Sequence, residues 1–361
     1  MSPVPLFASS LQPFHERLAE RLAAVISTER FILGPEVEAF EREFAGYLGV
    51  RHCVGVANGT DAITIVLRAL GVGQGDEVVV PSFTFYASVE AVVAAGATPV
   101  FCDVDPETFC VTRETVERAL TPSTRALLPV DLFGHPAPVP ELRDLGLPVI
   151  EDAAQAAGGA LGDVKAGALG HAATFSFYPS KNLPCLGDGG AIVTDDDGFP
   201  ERARELRFHG SKDKRTFTEV GYNSRLDELQ AAALRVLLPE LDAWAAARRA
   251  AAEAYERHGL PDHVTVPRPV AGADHAYHLY VVRHPRADEL AAALSASGVA
   301  AQGYYRSPVH LQPAMARFVP DGLELPGTDE AARTNVALPM GTQLSDEDVR
   351  EVVQACAAAF A

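Results

Sequence analysis

Short continuous apolar runs alternate with longer amphipathic stretches through the first two thirds of the chain. His52-Cys53-Val54-Gly55-Val56-Ala57, Glu77-Val78-Val79-Val80 and Pro99-Val100-Phe101-Cys102-Asp103-Val104 each read as a strand, and residues 124–130, 149–151 and 172–177 continue the series. Between them the spacing predicts helices over residues 36–48, 61–70 and 83–95. Pro35 stands at the first helical position, where its missing N–H costs nothing. Strands that are apolar on both faces and separated by helices predict an α/β protein whose parallel sheet is covered on both sides.

The texture changes after Asn223. Residues 226–257 are alanine-rich and helical, with an interruption at Pro239. Shorter elements follow at 278–283 and 288–297. A closing helix runs over 345–360, and Ser345-Asp346-Glu347-Asp348 has the form of a capped start. The expected division lies within the long helix, with a large domain over 1–240 and a smaller C-terminal α/β domain over 241–361.

Composition narrows the partners. The 361 residues carry a formal net charge of −18, which argues against a surface for nucleic acid, because phosphate backbones recruit clustered Lys and Arg. The longest apolar stretches, around 78–89 and 91–102, are shorter than the roughly 20 residues of a membrane span. Met1-Ser2-Pro3-Val4-Pro5 lacks the basic start and apolar core of a signal peptide, so the chain is read as cytoplasmic. The five cysteines are scattered, with no Cys-x-x-Cys or Cys/His cluster, and no metal site is expected. Cys53 and Cys102 read as small core residues. Cys185, four residues past Lys181, is weighed as a neighbour of a site against plain burial.

The chemistry gathers at predicted strand ends. Leu147-Pro148-Val149-Ile150 ends in Glu151-Asp152-Ala153-Ala154-Gln155, and Lys181 lies just past the strand at 172–177, before the turn Gly187-Asp188-Gly189-Gly190. An acid and a lysine so placed suit pyridoxal 5'-phosphate (PLP). The lysine forms a Schiff base, and the acid keeps the pyridinium nitrogen protonated so that the ring accepts electrons. Asn58-Gly59-Thr60-Asp61 joins a strand to a helix and offers free N–H groups to a phosphate, although alone it reads as an ordinary helix cap. Phe85 can stack on a flat ring or pack in the core. Gln155 can bond a ring substituent or sit at the surface. Ser176 can bind phosphate or the backbone. Together they fall where open α/β sheets bind ligands.

In these stretches the chain resembles the DegT-type PLP-dependent sugar-nucleotide aminotransferases, a fold-type-I family. The resemblance rests on Asn58-Gly59-Thr60-Asp61-Ala62, Pro81-Ser82-Phe83-Thr84-Phe85, the segments around Asp152 and Lys181, Gly187-Asp188-Gly189-Gly190-Ala191, Gly221-Tyr222-Asn223-Ser224-Arg225-Leu226-Asp227-Glu228-Leu229-Gln230 and Pro308-Val309-His310-Leu311-Gln312-Pro313. It runs from about Phe31 to the C-terminus. It implies that Lys181 anchors the cofactor, Asp152 pairs with the pyridinium nitrogen, Gln155 contacts the 3-hydroxyl and Phe85 covers the ring. Gly59, Thr60 and Ser176 would bind the phosphate. Asn223 would reach the phosphate in a neighbouring subunit, making a homodimer with shared active sites. His310, Tyr304 and Tyr305 would lie near the substrate, with plain packing as the alternative. Pro184, where many relatives have Gly, and Asn58, where Ser is frequent, depart from the pattern; both are tolerable, and Pro184 is the one able to reshape the sugar pocket.

The implied reaction moves an amino group from L-glutamate, by way of pyridoxamine 5'-phosphate, to a nucleotide-linked keto sugar in amino-sugar biosynthesis of the kind found in antibiotic pathways. A dTDP-3-keto-6-deoxyhexose is the favoured substrate. A 4-keto-sugar nucleotide and a cyclitol are the alternatives. Relatives with histidine in place of the lysine are dehydratases, and position 181 is lysine. A non-catalytic PLP-fold regulator is disfavoured by Lys181, Asp152 and Gln155 together. A nicotinamide enzyme is disfavoured because Gly71-Val72-Gly73-Gln74-Gly75 follows a helix and precedes a strand, the reverse of a dinucleotide fingerprint.

Overall fold

A computed structural model describes residues 3–360. Its strands in chain order are β1 (His52–Val56), β2 (Glu77–Pro81), β3 (Thr98–Cys102), β4 (Thr124–Leu127), β5 (Ile150–Asp152), β6 (Ala160–Leu161), β7 (Val164–Lys165), β8 (Ala172–Ser176), β9 (Gly190–Thr194), β10 (Ala273–Asp274), β11 (Tyr280–Arg283) and β12 (Asn335–Leu338). β3, β2 and β4 pair in parallel, as do β5 and β8. Parallel bridges Leu127–Val149 and Val130–Asp152 join these groups into one sheet, ordered β3-β2-β4-β5-β8-β9-β1. β9 runs antiparallel to both of its neighbours. The sequence pattern did not mark this strand. It follows β8 through a loop with no crossover helix, and such a connection returns the chain antiparallel.

Two helical layers cover the sheet. On one face lie α1 (His15–Thr28), α2 (Pro35–Leu48) and, from later in the chain, α8 (Glu228–Leu237). The other face carries α3 (Gly59–Ala69), α4 (Tyr86–Ala94) and α7 (Pro200–Leu206), while α5 (Arg113–Ala119) and α6 (Val139–Arg143) close the β3/β4 side. The two-residue period of a strand sorts the core. In β1, Val54 and Val56 pack with α3 and Cys53 packs with α2; in β9, Ile192 and Val193 divide the same way.

The alanine-rich stretch over 226–257 breaks at Pro239 as expected: it forms α8 and α9 (Leu241–Arg257), separated by a 3-10 turn at Leu238–Glu240 that contains Pro239. Beyond it, α9, α10 (Ala287–Ala296) and α12 (Asp346–Ala358) pack around the antiparallel pair β11–β12 and share their own hydrophobic cluster. α11 (Pro326–Thr334) feeds β12. The N-terminal segment crosses the expected division near residue 240: Val4 bridges Val299, Phe7 bridges Met340, and Val4 belongs to the C-terminal cluster. The helix predicted over 83–95 begins later, at Tyr86. Phe85 is its cap, with φ −70° and ψ 143°, and stands 57% exposed.

Candidate active site

A cavity of about 730 Å³ opens at the carboxyl ends of the sheet strands. The register of the sheet builds its floor. Val56, Gly190 and Ser176 are cross-strand partners, so β1 and β8 end beside the start of β9. Gly190 carries no side chain, and a Cβ there would lie 2.5 Å from the Asn58 carbonyl oxygen. That absence lets the Asn58-Gly59 turn fold down over the sheet edge. The Asn58 side chain accepts from Asp61 N at 2.8 Å and caps α3, leaving Gly59 and Thr60 in the turn whose amides precede the intrahelical ladder. A Cβ on Gly59 would come within 2.9 Å of the Ser176 Cβ. Gly59, Thr60 and Ser176 therefore form one small cup that admits a group rich in hydrogen-bond acceptors.

The acid and the lysine face this cavity. Asp152 ends β5 and is buried. Its Oδ2 accepts from Ser88 Oγ at 2.7 Å, and its Oδ1 from Ala154 N at 3.2 Å. Burial raises its pKa above the ordinary carboxylate range, opposed by these donors and by the Lys181 charge. Lys181 is half-buried in the same cavity. Burial lowers its pKa to about 8, against the opposing pull of Asp152. The loop that presents it is held on both sides. Lys181 N donates to Tyr178 O at 2.8 Å, and Asn182 Nδ2 donates to Ala276 O at 2.9 Å and Ala157 O at 3.2 Å.

Gln155 is buried one turn beyond Asp152. Its Oε1 accepts from Phe133 N at 2.7 Å, which points Nε2 at the Tyr305 hydroxyl, 3.3 Å away. Tyr305 lies parallel to Phe133 with centroids 6.1 Å apart, and both have left-handed φ, 52° and 59°. Tyr304 is fixed through its backbone by Asn335 at 2.8 and 2.9 Å. Both tyrosines line the cavity, and Phe85 stands at its rim 6.3 Å from Tyr305.

Two predicted residues lie elsewhere. His310 is buried outside the cavity, with Nδ1 against Ser82 Oγ and its ring 6.2 Å from Phe101. Asn223 is exposed and bridges Phe208 through its backbone, away from its own chain's cavity. Pro184 lines a small recess behind Lys181 instead of the large cavity. Cys185 is a packing residue: burial pushes its thiol up to about 11, and its Sγ donates to Gly187 O at 3.1 Å. The sequence reading missed Ser88 and His278. Ser88 had a signal, as a polar residue in the apolar stretch over 83–95. His278 had one too, as a lone histidine before the apolar strand β11.

The donor set fits PLP on three observations: a cup of helix-start amides and the Ser176 hydroxyl that a Cβ on Gly59 would close, a buried acid across the cavity from a lysine, and that lysine's lowered pKa. Gly59, Thr60 and Ser176 can hold the phosphate, Asp152 the pyridine nitrogen, Gln155 the ring hydroxyl and Lys181 the aldehyde carbon.

Comparison with known proteins agrees. The profile of the DegT/DnrJ/EryC1/StrS aminotransferase family matches residues 13–357. A dTDP-3-amino-3,4,6-trideoxy-alpha-D-glucose transaminase of Streptomyces venezuelae is 46% identical over 340 residues, 92% of this chain and 89% of the relative. A pleiotropic regulatory protein of Geobacillus stearothermophilus is 44% identical over 92% of this chain and 91% of its own. The crystal structure of S. venezuelae DesV in complex with a ketimine intermediate superposes with a TM-score of 0.94, at 44% identity and over 98% of both chains.

Proposed function

The chain belongs to the DegT/DnrJ/EryC1/StrS aminotransferase family, whose members depend on PLP, and from that premise we propose that it aminates C3 of a dTDP-linked keto-deoxysugar with L-glutamate as donor. The observation that carries the reading is Lys181 facing Asp152 across a cavity floored by the Gly59/Thr60/Ser176 cup. The name of the S. venezuelae relative supports dTDP and C3.

When bound, PLP supplies an electron sink for the carbon that exchanges its amino group. The chain's own groups do the rest. Lys181 Nζ holds and moves a proton at the reacting carbon, a task its lowered pKa suits near neutral pH. Asp152 keeps a proton on the ring nitrogen, steadied by Ser88. Gln155 is oriented by the Phe133 backbone and presents its amide to the ring hydroxyl. Phe85 and Tyr305 limit water over the site, and Tyr304 and Tyr305 border the sugar. This intact set favours turnover over the silent binding of a regulator.

The catalytic unit in this reading is a homodimer in the cytoplasm. Phe217 and Val220, 58% and 83% exposed, lie just before the Tyr222-Asn223 segment, and this exposed apolar surface supports burial against a second copy. Asn223 then meets the phosphate in the partner's site, and His310 serves the substrate only if its Ser82 contact opens. We keep the domain division near residue 240, with the first residues lent to the smaller domain. The decisive test is a panel of dTDP-linked 3-keto sugars, 4-keto sugars and cyclitol ketones, offered with L-glutamate and analysed by mass spectrometry and NMR. An aminated 3-keto sugar supports the proposal. Amination of only the 4-keto sugar or the cyclitol defeats its regiochemistry.

A further inference from the structure

Behind Lys181 lies a second, smaller recess of about 100 Å³. It shares Phe7, Ser180 and Lys181 with the main cavity, so the two are continuous at the lysine. Arg248, from α9, lines it together with Ser9 and Thr342. Arg248 is only 3% exposed. Its Nη1 donates to Tyr277 O at 2.9 Å and its Nη2 to Ser9 Oγ at 3.3 Å, while its buried Nε has no partner. Among the described residues no carboxylate lies within salt-bridge distance of it.

A desolvated guanidinium bonded only to neutral oxygens keeps an uncompensated charge, and such a charge is strongly unfavourable unless an anion joins it. Burial lowers the Arg248 pKa to about 10, so it remains a cation at neutral pH. Its neighbours do not offset that charge. His278 is buried, has an unpartnered Nδ1, and feels the charges of both Lys181 and Arg248; burial holds it neutral. In a chain of net charge −18, an unpaired cation next to the catalytic lysine calls for a specific reason.

We propose that this recess is the carboxylate subsite for the amino donor, with Arg248 as the residue that recognises it. The inference deepens the transaminase reading above and rests on it only in naming the donor. A planar fork is the group best suited to a carboxylate, through paired N–H donors. The recess has room for a carboxylate on a short chain but not for a nucleotide sugar, which separates the two substrates of one site. A donor anchored at Arg248 reaches Lys181 from the α9 side, while the sugar enters through the large cavity. The recess also gives Pro184 a role, since its rigid ring walls the donor side of Lys181.

The test titrates the holoenzyme with glutarate, a dicarboxylate that has no amine to react, by calorimetry. Arg248→Met should weaken glutarate about thirty-fold, the loss expected for a charged hydrogen-bonded pair. Thr342→Leu, which fills the recess and leaves Arg248 in place, should weaken it similarly and covers the case in which Arg248→Met does not fold. In steady state, both variants should raise KM for L-glutamate with little change in KM for the keto-sugar nucleotide. Unchanged glutarate affinity in a folded Arg248→Met enzyme overturns the proposal. So does an equal loss of affinity for both substrates, the mark of a structural role. If wild type aminates no keto sugar yet loses glutarate in both variants, the recess assignment stands and the functional reading falls.

Discussion

Ser88 Oγ donates to Asp152 Oδ2 at 2.7 Å, tying the first turn of α4 to the end of β5 across the intervening strand β4. Thr84 Oγ1 lies 3.1 Å from Ser88 Oγ and completes a short polar chain in an otherwise apolar wall. A buried carboxylate held by a hydroxyl and a backbone amide keeps one orientation, and that orientation decides where a ring nitrogen can be met. Ser88→Ala leaves Oδ2 without its donor and pushes the Asp152 pKa further up. A charge-assisted bond is worth about 1.5–3 kcal/mol, so kcat should fall by roughly ten- to a hundred-fold while the fold survives. Thermal melting and kcat measured side by side check this, and wild-type turnover would exclude Ser88 from the site.

Asp152→Asn should retain PLP and lose activity about a hundred-fold or more, since an amide cannot hold the pyridinium proton. The cofactor's absorbance reports retention and the keto-sugar assay reports loss. Near-normal rates in this variant would take Asp152 out of the role.

The chain has four lysines, Lys165, Lys181, Lys212 and Lys214. Lys165 pairs with Asp242 at 3.2 Å, Lys212 with Glu201 at 3.0 Å, and Lys214 sits 4.7 Å above the Phe208 ring. Only Lys181 lines the cavity and carries a lowered pKa. Borohydride reduction of the PLP-loaded protein should therefore add the cofactor's mass to the peptide containing Lys181, and Lys181→Ala should abolish turnover while sparing the fold. Label on any other lysine refutes the assignment.

Most of this site was legible in sequence because the sheet is parallel there. Continuous apolar runs announce buried strands, and the residue just past each run must lie at one shared edge. Asp152, Ser176 and Gly59 follow from that rule alone. The antiparallel strand β9 did not follow, because the glycines of its approach read as a turn. Arg248 was illegible for a different reason. In an alanine-rich helix beside Arg249 it looks like a solvated charge, and its hydrogen-bond partners Ser9 and Tyr277 are distant in sequence. His310 was placed near the substrate by its motif, yet the hydroxyl of Ser82 engages it outside the cavity. A local pattern cannot show which side of that strand end a ring will take.

The lowered pKa of Lys181 sets a pH dependence with a definite sign. The neutral amine is the form that attacks the aldehyde, and it accumulates as pH rises through the pKa. Burial brings that value from 10.5 to about 8. At pH 7.5 about a quarter of such an amine is neutral, against about one part in a thousand for an ordinary lysine. Capture of PLP by the cofactor-free protein should rise between pH 6.5 and 8 and level off above about 8.5, as followed by stopped-flow absorbance. A rate still climbing through pH 10 would show that Lys181 titrates as an exposed amine.

Asn223 supplies the sharpest test of the dimer. It is exposed, has no side-chain hydrogen bond among the described residues, and adjoins Tyr222, which does line its own cavity. A residue so placed serves either a second chain or no site at all. If it binds phosphate in the partner's site, Lys181→Ala and Asn223→Asp chains are each inactive alone, the latter because a carboxylate repels the phosphate. Mixed and allowed to exchange, they form a heterodimer in which one site carries both lesions and the other carries neither. Activity should return to as much as a quarter of the wild-type value, since about half of randomly assembled dimers are mixed and each has one good site. Native mass spectrometry verifies the heterodimers. Verified heterodimers without regained activity would take Asn223 out of the partner's site, and a fully active monomer in the ultracentrifuge would remove the shared site altogether.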